Sequence, residues 1–139
     1  MRRPPLPSDP DAGVWRGRSV ARAFRSPDGL VVLVGRSAED NDTLTLELAA
    51  PDDFWLHVAG ASGSHVVVRN PGGLDRLPRD TLRFAAALAV RHSKARGAPS
   101  ASVHVARRRD VGKRRGQPPG EVELARWTAV TGRPADAEG

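Results

Sequence analysis

Asp52–Val68, DDFWLHVAGASGSHVVV, reads as two strands around a turn of small residues, and the way they alternate decides the fold. Successive side chains on a strand point to opposite faces. Phe54, Leu56 and Val58 therefore share an ordinary core face, while Asp53, Trp55 and His57 line the other. After the turn, His65, Val67 and Arg69 take one face and Val66 and Val68 the opposite one. Antiparallel closure sets His65 beside His57 and Trp55. A carboxylate, an indole and two imidazoles on one face suit a surface that stacks on bases and touches phosphates better than they suit a core.

Working outward, SVARAF and LVVLVG flank Ser26-Pro27-Asp28-Gly29, a hairpin signal in which Pro presets φ and Gly accepts positive φ. Arg36–Asp42 reads as an acidic loop closed by the turn pair Asn41-Asp42, and TLTLEL (Thr43–Leu48) as a strand of period 2. RNPGGLDRL is a loop by its Gly and Pro density. The spacing of Leu82, Ala85, Ala86 and Ala89 predicts one long helix over Arg79–Arg96, stopped by Gly97. Its Ala-rich face suggests close approach to a sheet, and Arg79, Arg83, Arg91 and Lys94 mark a basic outer face. SVHVA follows as a strand, RRRDVGKRRGQPPG as a long basic loop, and EVELARWTAV as one or two final strands. The order predicts an α+β domain over 14–134: a mostly antiparallel, curved sheet with one long helix packed on it. The Pro-rich stretch 1–13 is expected to be a disordered tail and 135–139 a frayed one.

The composition narrows the function. A chain of 139 residues fits one domain. It has no cysteine, so disulfides and thiolate metal sites are excluded. There is neither an apolar run of about 18 residues for a membrane span nor a secretory h-region, which points to the cytoplasm. The net charge of +6 is segregated: residues 69–115 carry 13 Lys and Arg against Asp75, Asp80 and Asp110, a net of +10, and the rest of the chain is −4. Such a block favours a polyanionic partner. That 20 of the 22 basic residues are Arg fits a GC-rich genome, but a Lys-to-Arg shift does not explain the segregation.

Trp55, His57 and His65 form the candidate stacking surface, with Asp53 placed to accept the His57 ring N–H and favour its charged form. Solvent-open imidazoles predict an RNA affinity that rises as pH falls from 8 to 6, given the usual His pKa of about 6.5. Gly63 and Ser64 offer backbone N–H groups and a hydroxyl to a phosphate. Arg36 lies close enough in sequence to reach the same surface, whereas Asp40, Asn41 and Asp42 read on composition as a solvated acidic loop. Arg107, Arg108, Arg109, Lys113, Arg114 and Arg115 read as a mobile basic arm that adds affinity through counterion release. Pro119 and Gly120 read as structural turn residues. Each assignment has a plainer reading beside it, as packed aromatics, turn glycines and a solvated basic loop. Asp53, His57, Ser64 and His65 also contain the residue types of a hydrolase, but Ser64 has no nucleophile-elbow setting and the carboxylate stands too far along the strand to share a metal with His57. The reading is of a non-enzyme without metal or cofactor. A hydrolase or RNA-modification enzyme using His57, His65 and Asp53, or a protein–protein adapter on a ribosomal complex, are the alternatives. Oligomeric state stays open.

Four segments in order, GRSAEDND (Gly35–Asp42), DFWLHVAGASGSHVVV (Asp53–Val68), AALAVRHSKARG (Ala86–Gly97) and KRRGQPPGEV (Lys113–Val122), together resemble the RNA-binding domain of the NFACT family over about 18–131. Longer members of that family serve in ribosome-associated quality control. The resemblance implies RNA as partner, a tRNA or an rRNA element, with the large ribosomal subunit as its setting. It also raises the weight of Asn41, and it suggests a stand-alone version of a domain found in longer proteins. Two positions depart from the family: Ser37 stands where Asn is usual, and His92 where an aromatic is common.

Overall fold

The computed structural model of the chain describes residues 11–137. Val14–Trp15 (β1) and Arg18–Ser19 (β2) form a short ribbon, and Ala21–Arg25 (β3) and Val31–Gly35 (β4) form the expected hairpin. Gly29 closes that hairpin at φ 87°. Phe54–Val58 (β5) pairs with Val66–Val68 (β6), Trp55 facing Val67 and Leu56 facing Val66. Ala101–Arg107 (β7) and Thr128–Gly132 (β10) complete a six-stranded sheet in the order β10-β7-β5-β6-β4-β3, antiparallel throughout. Val111–Gly112 (β8) and Glu123–Leu124 (β9) make a second small ribbon at the ends of the basic stretch. The fold is α+β, as the order of sequence patterns predicts.

One face of the sheet is covered as expected. Arg79–Arg91 (α2) lays Ala85, Ala86, Leu88, Ala89 and Val90 onto Val32, Val34, Phe54, Leu56, Val66 and Val68. The approach is close because Gly132 has no side chain; a Cβ there would stand 2.6 Å from the Ala86 carbonyl oxygen. The helix ends at Arg91, five residues earlier than the sequence pattern suggests. The His92 and Ser93 amides close its last turn, so Gly97 is not its stop.

The other face departs from expectation. Ala38–Thr43 (α1) continues as a π turn over Leu44–Leu48, so neither an acidic loop nor a strand occupies 36–48. Ser37 caps it, its hydroxyl accepting the Asp40 amide at 3.0 Å, with Glu39 and Asp40 in the first turn. Asp40, Asn41, Leu44, Thr45 and Leu48 are buried, a helical stripe that TLTLEL disguises because a short segment can satisfy both periods. This segment roofs the second face, where Leu44 and Leu48 meet Leu33, Trp55, Val67 and Ala106. Both faces of the central strands are therefore core.

The expected N-terminal tail falls outside the described residues up to residue 10, but Asp11–Gly13 are folded. The Gly13 carbonyl accepts the Val20 and Ala21 amides at 2.9 and 3.2 Å. At the other end Pro134–Ala137 forms a single 3-10 turn against α2, with Arg83 3.5 Å from Asp136. Residues 138 and 139 lie outside the described part.

Candidate nucleic-acid interface

The β5–β6 register brings the predicted aromatic group together. Trp55 stacks on His57 at 5.8 Å between centroids, and His65 meets both edge-on at 5.2 and 5.6 Å. The proximity is as expected; the setting is not. Trp55 is 2 % exposed, His65 1 % and Asp53 2 %, so none of the three faces a ligand. For Trp55 and His65 the roof formed by residues 38–48 is the reason, while Asp53 is enclosed by Ala50, Arg69 and Asn70.

Within this interior each polar group has a structural partner. The Gly120 carbonyl can only accept, so the His65 Nε2–H donates to it at 2.9 Å, and Nδ1 accepts from the Thr45 hydroxyl at 2.7 Å. His65 is thus a neutral tie between β6, the π turn and the Pro119-Gly120 turn. Burial lowers its pKa to about 4. Asn41 Oδ1 accepts the His65 amide at 3.0 Å and its Nδ2 reaches the Gly63 carbonyl at 3.4 Å. Asp53 takes the Ala50 and Asn70 amides at 2.8 and 2.7 Å and pairs with Arg69 at 2.8 Å. It does not orient His57, whose pKa is lowered, first by desolvation, with Gly63 and Val58 backbone groups opposing. Burial shifts both imidazoles away from the charged form that the sequence reading favoured. The indole nitrogen of Trp55 is buried with no hydrogen-bond partner among the described residues.

Most of the basic arm is bonded to neighbouring groups. Arg107 lies over the Phe54 ring at 4.1 Å and donates to the carbonyls of Asp52, Leu74 and Asp75. Arg108 donates to Val111 and Leu46 carbonyls, and Arg109 pairs with Asp52. Lys113 holds the Pro118 and Glu121 carbonyls at 2.6 and 2.8 Å and Asp42 at 3.3 Å. Arg114 pairs with Glu123. These residues brace loops. Only Arg115 is exposed without a side-chain partner among the described residues. Arg36 is exposed, its Nε donating to Ser19.

The open surface lies one step away, where four elements converge. A cleft of about 360 Å³ is lined by Ser37, Ala38 and Asn41 from α1, Ser62–Ser64 from the β5–β6 loop, and Arg91, His92, Ser93, Lys94 and Arg96 from the end of α2. A second, of about 500 Å³, shares Ala38, Asn41, Ser62 and Gly63 and runs on to His57, Gly60, Ala61 and the Pro119–Glu121 turn. Gly63 makes the junction possible: its backbone bridges Ser93, and a Cβ would stand 2.6 Å from the Ser93 Cβ. The Ser64 amide, a candidate phosphate donor from sequence, is spent on the His92 carbonyl at 2.9 Å, and the Lys94 amide on Ser62.

Of the sequence candidates, Asn41, His57, Gly63 and Ser64 line these clefts. Asp53, Trp55, His65 and Arg107–Arg109 support the fold instead. Sequence reasoning missed Arg91, Lys94 and Arg96 as site residues, although RHSKARG is the signal: three cations within six residues at a helix end, facing a Gly-Ser loop. Arg91 and Lys94 are exposed with no ion pair among the described residues, so their charge is available. Among the described residues no three His, Asp or Glu side chains gather as metal ligands. None of the helices there is long and apolar enough to cross a membrane.

The sheet-and-helix module thus presents a cleft lined by cations and hydroxyls. The sequence signature described as NFACT protein RNA binding domain matches residues 21–125, and the chain belongs to that family. It is similar to the Rqc2 homolog RqcH of Bacillus subtilis (strain 168), 38 % identical over 103 residues that make 74 % of this chain and 17 % of that protein. A Drosophila melanogaster protein named as a ribosome quality control complex subunit NEMF homolog is 31 % identical over 72 residues, 52 % of this chain and 7 % of that one. The solved C-terminal part of the fibronectin/fibrinogen-binding protein from Streptococcus suis superposes with a TM-score of 0.78 at 28 % identity, covering 84 % of this chain and 46 % of that one. The chain spans less than a fifth of the length of the curated Rqc2 homologues it matches.

Proposed function

We propose that this chain binds RNA, with a tRNA or an rRNA element as ligand, in the setting of ribosome quality control and the large ribosomal subunit. The observation that carries the reading is the cleft in which Arg91, Lys94 and Arg96 converge with the hydroxyls of Ser37, Ser62 and Ser64. Cations and hydroxyls at one concave surface suit phosphate oxygens, which take the larger share of nucleic-acid hydrogen bonds. Family membership and the names of the relatives support the same reading. Binding without catalysis is part of the proposal, because His65 and Asp53, two of the groups a hydrolase would use, are saturated by internal bonds. The test is retention of total tRNA and of ribosomal RNA fragments by the purified protein at low salt. Saturable binding of one of these classes is expected. No retention of either would overturn the proposal.

A further inference from the structure

Toward β10 the second sheet face is open, with Ser102, Trp127, Ala129 and Thr131 exposed. His57 and His104 are direct partners across β5 and β7, so they share the face opposite α2. Val103, one residue before His104, is in the α2-side core, which fixes His104 on the opposite side. Trp127, immediately before the edge strand β10, sets its ring 5.8 Å from that of His104 at a tilt of 51°. It is 50 % exposed, and the other exposed large apolar side chain among the described residues is Leu74. Arg126 and Arg133 stand exposed beside Trp127 and just past the end of β10, with no ion-pair partner among the described residues.

We infer that Trp127, backed by His104, is a stacking platform for an unpaired base of the same RNA that occupies the cleft. The inference rests on the RNA-binding reading. His57 lines the second cleft, which shares Ala38, Asn41, Ser62 and Gly63 with the cationic one; His104 pairs with His57, and Trp127 touches His104, so the row leads from these adjoining clefts to the indole. Strands lie about 4.8 Å apart, which sets β10 about 10 Å from β5 and keeps both ends within one RNA segment. An indole face accepts any base, and such stacking requires that the base not be paired within a duplex. A protein docking on this patch would find free cations at its rim, where a polyanion is the better match.

The test compares two RNAs of equal length, one single-stranded and one a blunt duplex, binding to the full chain and to its Trp127→Ala and Trp127→Phe variants. Thermal melts establish that the variants fold. The expected result is a loss of between about 5- and 100-fold for the single strand with Trp127→Ala, little change for the duplex, and most of the affinity kept by Trp127→Phe. Wild-type affinity for both RNAs in the folded Trp127→Ala variant would overturn the platform alone. Equal losses on both RNAs would do the same. Failure of wild-type protein to bind either RNA would overturn the RNA-binding reading, and the platform with it.

Discussion

His65 stands at the meeting of β6, the π turn and the Pro119-Gly120 turn. It ties three segments through a neutral imidazole whose ring nitrogens are both committed. The unfolded chain takes up a proton at the ordinary His pKa near 6.5, whereas the folded protein resists it until about pH 4. Between those values the unfolded state binds more protons, so stability falls as pH drops through that window, by on the order of 2–3 kcal/mol at the acid end. Chemical denaturation from pH 7 to pH 4 should show that fall, and His65→Gln should flatten it while starting lower. Trp55→Ala should destabilise the fold by about 3–5 kcal/mol, the range for truncating a buried aromatic, which an unfolding curve reads directly. The meeting of Trp55, His57 and His65 was legible in the sequence because strand register fixes neighbours. Their burial was not, because it depends on what another segment lays over them.

That segment is 38–48, and the reason it was misread lies in its own letters. Leu alternates with Thr and Glu from Thr43 to Leu48, a run too short for period 2 to exclude period 3.6. The discriminating signal was upstream, in Ser37 followed three residues later by Asp40, a helix start rather than a loop. Ser37 holds the cap, and Asn would cap comparably. Ser37→Ala should therefore lower stability by about 1 kcal/mol in denaturant titrations, while Ser37→Asn should be close to neutral. The same elements hold the cleft. Gly63→Ala must push the β5–β6 loop off Ser93 and is expected to weaken RNA binding more than its effect on the melting temperature would suggest. A variant with native affinity would show that this junction does not shape the site.

Across the whole molecule, charge located the partner class but not the surface. Of the +10 excess over residues 69–115, Arg69, Arg107, Arg108, Arg109, Lys113 and Arg114 are bound to neighbouring groups. Sequence cannot distinguish a guanidinium that braces a loop from one that faces solvent, least of all where the carbonyl it meets is distant along the chain, as Arg107 with Leu74 illustrates. The α+β order, the hairpins and the helix against the sheet were legible because each rests on local periodicity and turn chemistry. The measurement that bears most directly on the central claim is the salt dependence of tRNA affinity for three proteins: wild type, a variant with Arg91, Lys94 and Arg96 changed to Gln, and one with Arg107, Arg108 and Arg109 so changed. Each phosphate contact contributes about 0.7–0.9 to the log–log slope. The cleft variant should lose about two to three units of slope while remaining folded, and the brace variant should lose stability with its slope intact. A wild-type slope in the cleft variant, or a slope loss confined to the brace variant, would contradict the placement of the RNA-binding surface.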